Sequence, residues 1–490
     1  MSPWAFAPAQ LRRVIDLEFA YGINRPVIHT SVHQPVDDKV PGLSLAIFGQ
    51  YFNRHESWAE MARPWVDYIA RSSFLLQQGR DHSDIAYFHG EEAPLTALFG
   101  QGAPADLPKA YAYDFVNPEA LATLLSVEGG ELVAKSGARY KALYLGGTSR
   151  RMTLPMLRRI AALAEAGATI VGNAPEGSPS LRDDKAEHDA LVRRLWGAGG
   201  INAVGQGRVI AGMGAEAALA SIGVGPDFAY SRPQADSEIL FVHRRLADGD
   251  LYFVNNRRDR AERVEARFRV TGKAPEIWRA DTGTAEPVSY RILGNETIVP
   301  LDFAPEDSFF VLFRTPAAEA SRTVSKPALV PVATLAGSWN VAFQPGRGAP
   351  AATRLSRLDS LSEQADPAIR YFSGIATYTT SFDLAAAPGS GARLMLDLGA
   401  VGDLAEVRVN GIAVGTAWHA PFRLDIAKAA RKGRNSLEIR VANLWVNRLI
   451  GDAQPGASKI TFTTLPTYRP DAPLRPSGLI GPVTLLGEPR

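Results

Sequence analysis

Cysteine is absent from all 490 residues, which excludes disulfides, thiolate metal sites and a thiol nucleophile. The absence assigns no compartment, because cytosolic and exported bacterial-type enzymes alike can do without it. An excess of one charge is also lacking. There are 53 basic and 51 acidic residues, a net charge of +2, so no electrostatic footprint for nucleic acid or an anionic membrane is expected. No apolar run reaches the roughly 18 residues of a transmembrane helix. The opening "MSPWAFAPAQLRRVIDLEFAYG" has no basic start and no long apolar segment, so it does not read as a signal peptide. Gly146 and Gly147 follow an apolar run, but no GxGxxG spacing and no phosphate loop accompany them.

What is present reads as several domains, since 490 residues exceed one ordinary core. Residues 1–104 have a helix–strand–loop rhythm. "AQLRRVIDLEFAYG" carries Leu11, Ile15, Leu17 and Phe19 at helical spacing and stops at Gly22. "RPVIHT" reads as a buried strand ending in His29. "ESWAEMARPWVDYIARSSFLLQQG" reads as a long helix that Pro64 kinks or divides. "SDIAYFHG" reads as a further strand, ending in His89 with Glu91 and Glu92 behind it. Polar groups at strand ends fit part of a (β/α)8 barrel, with its chemistry on that face. Over residues 105–230, strands ("ARYKALYLGG", "ATIVG", "GRVIAG") alternate with helices, which predicts a flavodoxin/Rossmann-like parallel α/β domain. Helical periodicity ends near residue 235. "SEILFVHRRLADGDLYFVNNR" is a hairpin turning through Asp248-Gly249-Asp250, and residues 231–318 read as a small β-sandwich. Residues 319–332 are linker-like in Ala, Pro and Ser. Residues 333–490 are all-β and suit a galactose-binding-like jelly roll.

The chemistry-bearing residues near the expected barrel rim are few. Acids close to strand ends are Asp37, Asp38, Glu56, Glu60, Glu91 and Glu92. Glu91 and Glu92 follow a strand directly, though helix N-termini also favour carboxylates there. His29 and His33 are four apart, but Pro35 and the preceding strand argue against a helix, and no HExxH order exists, so zinc is not expected. Trp58 and Trp65 sit inside an apolar pattern that suits core as well as a sugar face.

"GINRPVIHTSVHQP", "WVDYIARSSFLLQQGRDHSDIAYFHGEEAP", "YAYDFVNPEAL" and "RPSGLIGPVTLLG" closely resemble glycoside hydrolase family 106, the bacterial α-L-rhamnosidases. The resemblance runs over nearly the whole chain. It implies an enzyme about twice this length, with an N-terminal β-rich region, most of the catalytic barrel and a catalytic glutamate ahead of the stretch matching Ser2-Pro3-Trp4. It also implies an inverting route to hydrolysis of terminal α-L-rhamnosyl linkages. On that basis the chain is expected to be a C-terminal fragment, inactive or nearly so alone, that a complementing N-terminal chain would complete. Glu60, Glu91 and Glu92 are the catalytic candidates, Glu60 because it matches a glutamate in a "WWE"-like stretch of the family. His29, His33, Gln34, Trp58 and His89 are the substrate-binding candidates. The resemblance implies that calcium can sit near the sugar, but this half contains no compact set of oxygen ligands, so no cofactor or metal is expected in it. A rhamnose-containing glycan is the implied partner, and periplasmic or extracellular placement is implied for the intact bacterial enzyme. Two rivals stand beside this reading: a carbohydrate-binding or scaffold module, and another exo-glycosidase of β-galactosidase-like architecture.

Overall fold

The computed structural model describes residues 4–45, 50–92, 104–325, 328–389 and 391–488. Two of its strands, Ile85–Phe88 and Ala142–Leu145, are buried at every position. A strand apolar on both faces needs cover on both, and a parallel sheet with flanking helices supplies it. The two strands pair in parallel inside a six-stranded sheet. Its order is Ile201–Val204, Gly207–Ile210, Thr169–Val171, Ala142–Leu145, Ile85–Phe88, Tyr113–Val116, with only the Ile201–Val204/Gly207–Ile210 pair antiparallel. Counted along the chain, the five parallel strands lie in the order 2-1-3-4-5 of flavodoxin-like sheets. Helices Leu154–Glu165 and Lys185–Trp196 cover one face through Leu157, Ile160 and Leu195. Helix Ala215–Ser221 covers part of the other through Ala218 and Leu219.

This sheet corrects the expected boundary at residue 104. The strand that ends at His89 is not a barrel strand; it lies inside the α/β sheet, hydrogen-bonded on both edges. An all-apolar strand followed by polar residues looks the same in a barrel and in a doubly wound sheet, so only pairing tells them apart.

The incomplete barrel expected over residues 1–104 is not seen. From residue 4 to 84 the described residues form no strand longer than two residues. "RPVIHT" is extended, yet among the described residues its backbone partners are Gln50 and Phe52, through Thr30 N to Gln50 O at 2.7 Å and Phe52 N to Thr30 O at 2.9 Å. Val27 within it is 94% exposed. The two helices of this region do form, at Pro8–Ala20 and Arg63–Leu76. Pro64 sits in the first turn of the second and separates it from a short 3-10 turn at Ala59–Met61. Ile15, Phe19, Trp65, Tyr68 and Leu76 bury the helices between two sandwiches, against Phe253 and Phe310 on one side and Trp418, Leu444 and Ile450 on the other.

The first sandwich packs a five-stranded against a six-stranded sheet around Tyr252, Val264, Phe268, Leu301 and Phe313. Its hairpin pairs Ile239–Arg245 with Asp250–Asn256 as expected. The edge strand Arg80–Asp81 joins it from upstream. The second sandwich packs four strands against six around Val341, Tyr378, Leu396, Val407, Ile439 and Leu485. The linker-like stretch is recruited at both ends: Ser321–Arg322 pairs with Tyr290 and Arg291, and Val330–Thr334 with Thr484–Gly487. Mostly β structure in several sheets, with few helices, is the architecture as a whole.

Candidate functional site

The loop from Asn24 to Val36 carries three of the expected substrate contacts, and it spends them differently. His29 and His33 are exposed, and among the described residues neither ring has a hydrogen-bond partner. Gln34 is buried. Its Nε2 donates to the Leu43 carbonyl at 2.7 Å and its Oε1 accepts from the Leu43 amide at 2.9 Å, so the side chain zips the loop to residue 43. Gly42 lies directly beneath at φ +102°, where any Cβ would collide with Gln34 Oε1. Behind the loop, Arg54 donates to Asp37 at 2.6 Å and to the Gln34 carbonyl at 2.8 Å. His55 Nε2 lies 3.3 Å from the same Asp37 oxygen. The loop is therefore tied down through Gln34 and Arg54, and it leaves the two imidazoles exposed.

Beneath that loop the chain runs from Gln50 to Trp58 into the second sandwich. The indole of Trp445 donates to the His55 carbonyl at 2.8 Å, and Trp4, Tyr51, Trp445 and Leu449 form a small core. Glu56 is 4% exposed here. Its Oε1 accepts from Gln50 Nε2 at 3.1 Å, and Oε2 has no partner. Burial drives its pKa well above the ordinary glutamate value and the nearby Asp403 adds to this, while the Ser57 amide dipole and Gln50 oppose it. Asp403 is itself pushed up to about 6 by burial, although Arg475 donates to it at 2.8 Å. Unpartnered buried polar atoms cluster here: five of the residues from Asn53 to Trp58 contribute one each. A carboxyl kept neutral by its surroundings is the form a general acid needs. Glu56 was one of six acids visible by position. Nothing local in "NRHESWAE" sets it apart from Glu60, because the difference is burial, beside Asp403 from far away in sequence.

The sign of the Glu56 shift gives a test. A folded-state pKa raised above 4.5 means that the stability contribution is complete below that value and is lost as pH rises through the folded one. Glu56→Gln cannot ionise. It is expected to match the parent near pH 4 and to melt above it at pH 8. An identical difference at both pH values in thermal denaturation would refute this account.

The three catalytic candidates are put to different uses. Glu60 lies on the exposed 3-10 turn, paired with Arg440 at 3.3 Å. Glu91 accepts from the amide of Thr153 at 2.7 Å and from its hydroxyl at 2.8 Å, which caps helix Leu154–Glu165. Glu92 is exposed. Trp58 is core, edge-on to Phe52, and offers no face to a sugar. His89 is buried in the α/β domain instead of lining a barrel rim. Trp418 of the second sandwich packs on Trp65 and Tyr68 at ring distances of 5.6 and 5.5 Å.

Among the described residues one group has metal-ligand composition: His82, Asp227 and His243. Its lone pairs are spoken for. His243 Nδ1 faces Asp227 at 3.0 Å and Nε2 faces Asp250 at 3.0 Å, so both nitrogens donate. His82 Nε2 accepts from Arg269 at 3.2 Å. A guanidinium already fills the place of a cation, and a hard calcium ion would need several more oxygens. The group is a charge cluster joining the α/β domain to the first sandwich.

No helix among the described residues is long and apolar enough to cross a membrane. The family model for alpha-L-rhamnosidase, Glyco_hydro_106, matches residues 1–292. The solved rhamnosidase from Novosphingobium sp. PP1Y is 59% identical and superposes with a TM-score of 0.96, covering 100% of this chain and 47% of that one. A Formosa agariphila protein described as "Putative beta-glucuronidase" is 25% identical over 676 residues, 92% of this chain and 57% of its own length. A beta-glucuronidase from an uncultured Clostridium sp. aligns over 34% of this chain and 31% of its own at 19% identity, with a TM-score of 0.25. The chain thus spans about half the length of the solved rhamnosidase and little more than half of the curated relative. With more than half of its residues matched by the family model and its whole length by a solved member, the chain belongs to glycoside hydrolase family 106, the alpha-L-rhamnosidases.

Proposed function

We propose that this chain is the C-terminal half of an inverting exo-α-L-rhamnosidase and forms one wall of its sugar pocket, with the loop carrying His29 and His33 facing the substrate. The intact enzyme would remove terminal α-L-rhamnosyl units from a glycan. The observation that carries the reading is likeness over the full chain to a rhamnosidase about twice as long. Inversion requires one carboxyl to protonate the leaving oxygen and another to activate water, roughly 6.5–9.5 Å apart. In this chain Glu60 is ion-paired, Glu91 caps a helix and Glu92 is exposed. That distribution supports a catalytic pair contributed by a complementing N-terminal portion. Val27, Ile28 and Val36 lie exposed beside the two histidines, an apolar strip that such a portion would bury.

An assay on an aryl α-L-rhamnoside tests this. A missing acid–base pair predicts turnover at least about 100-fold below that of a full-length homologue. Adding a separately produced N-terminal portion should restore it. In the complemented enzyme, His29→Ala and His33→Ala should each raise KM up to about tenfold, the worth of one hydrogen bond, without shifting Tm. Full turnover by the 490-residue chain alone would sink the proposal. Preferential cleavage of an aryl β-glucuronide would replace it with the other-glycosidase reading.

A further inference from the structure

In parallel α/β sheets of 2-1-3-4-5 order, ligands sit beyond the carboxyl ends of the strands where the winding reverses. Here that point lies between Ile85–Phe88 and Ala142–Leu145, and the residue leaving the first of these strands is His89. His89 is 5% exposed, its Nδ1 has no partner, and among the described residues nothing hydrogen-bonds its ring. Its ring lies edge-on to Phe115 at 6.4 Å and tilted to Tyr87 at 6.4 Å.

Those aromatics belong to one sheet face. Tyr87 pairs with Phe115 across the parallel ladder, and Tyr113 lies two residues before Phe115 on the same side. Ring centroids of Tyr87, Tyr113 and Phe115 are 5.3–6.1 Å apart. Tyr113–Val116 is the edge strand, and helix Ala215–Ser221 packs on the same face around Ile85, Ala218 and Leu219 without closing over Phe115, which remains 37% exposed. Tyr21, at the end of the first helix, flanks the patch from the side: it is exposed, and together with burial it raises the Tyr113 phenol.

The same end of the sheet rejects anions. The N-terminus of helix Leu154–Glu165, where a phosphate would sit, is already filled by this chain's own carboxylates: Glu91 on the Thr153 amide, and Asp183 on the Leu154 amide at 2.6 Å. Asp106 spends both its oxygens on the hydroxyls of Tyr87 and Tyr144. What remains is a partly open aromatic face beside one unsatisfied imidazole. A sugar ring has this complement, with an apolar C–H face to lie on the rings and hydroxyls for the histidine.

We propose that the α/β domain binds a neutral saccharide unit on the face formed by Tyr113 and Phe115, with His89 as the hydrogen-bonding group. This goes beyond the hydrolytic reading, and its failure would leave that reading intact, because the test measures binding and not turnover. The probes are linear α-L-rhamnotriose and maltotriose, titrated into the 490-residue chain and followed by saturation-transfer difference NMR and calorimetry. Saturable binding of at least one of them is expected. Phe115→Ala should weaken it at least tenfold, and His89→Ala by a similar factor, with His89→Gln recovering part. Phe115→Leu keeps the apolar contact but removes the ring face, so it should also weaken binding, and it covers the case in which the alanine variant does not fold. Phe74→Ala, an exposed aromatic on helix Arg63–Leu76, should change nothing. Absence of binding by both sugars overturns the proposal, as does binding that Phe115→Leu and His89→Ala leave unaltered. So does a self-association in sedimentation that Phe115→Leu abolishes while neither sugar binds, because the face is then a protein interface.

Discussion

Arg12→Ala is expected to lower the unfolding free energy by about 3–5 kcal/mol, the cost of leaving buried charges without their partner. Arg12 is 5% exposed and sits where the first helix meets both sandwiches. Its Nη2 donates to Asp307 at 3.2 Å and to the Ser308 hydroxyl at 3.1 Å, while Nε lies 3.4 Å from Asp16. The guanidinium also lies over the rings of Tyr68 and Trp418, at 5.2 and 5.8 Å from their centroids. Asp16 is fully buried. Its carboxylate accepts from the Tyr68 hydroxyl and, at 2.8 Å, from Ser308. Burial raises its pKa and Arg12 opposes that rise, so without Arg12 the acid must be protonated or the helix must move. One side chain thus answers to three parts of the chain: helix Pro8–Ala20, the first sandwich and, through Trp418, the second. Urea denaturation should register the loss. Arg12→Lys should recover only part, because an ammonium cannot serve the Asp307 and Asp16 directions in one plane. A loss below about 1 kcal/mol for the alanine variant would mean that the network is dispensable.

The second large effect is expected at Asp227. Burial alone would raise this carboxyl, but His243, then His82 and Arg269, bring it down to about 2. The proton that one might place on either histidine belongs to His243. Burial disfavours charge there too, yet carboxylates on both nitrogens raise its pKa, whereas His82, buried beside His243, falls to about 3. The signs set the pH window. Asp227 contributes stability above 3.8 and loses it as pH falls through about 2. His243 contributes below 6.5 and loses it as pH rises through its raised value. Both contributions are complete only from roughly pH 4 to 6.5. Asp227→Asn removes the negative centre from His243, Arg269 and the Tyr252 hydroxyl together. The expected cost is about 3–5 kcal/mol at pH 5.5, and it should fall as pH rises through the raised His243 value. A cost that stays constant in urea melts while His243 loses its proton, followed by NMR, would show that the imidazolium is not the group Asp227 holds.

These two clusters also show how far the residue pattern could be read. Helix Pro8–Ala20 was legible from the spacing of Leu11, Ile15 and Phe19, and the hairpin at Asp248–Asp250 from its turn residues, because both signals are local. Strand Ile85–Phe88 was legible as a strand, but its membership was not, since four apolar residues carry no record of their neighbours. "RPVIHT" misled for the same reason: apolar and β-branched residues promise burial only if something covers them, and Val27 is bare in this structure. Among the site candidates, Gln34 looked like a sugar contact and is a loop tie, while Glu56 looked like any loop acid and is the buried one.

By itself the sequence determined the chemical inventory. It offers no thiol, no charge excess and no phosphate loop, and its two-fold and 3.6-fold apolar periodicities set most elements in place. Its motifs also carried the family. The tertiary structure alone decided which of many similar carboxyls and imidazoles are stripped of water. Glu56 is buried beside Asp403, which comes from the other end of the chain, and the Nδ1 of His89 is left unpaired at the turn of a sheet. Desolvation depends on what arrives from far along the chain, and that information has no local signature.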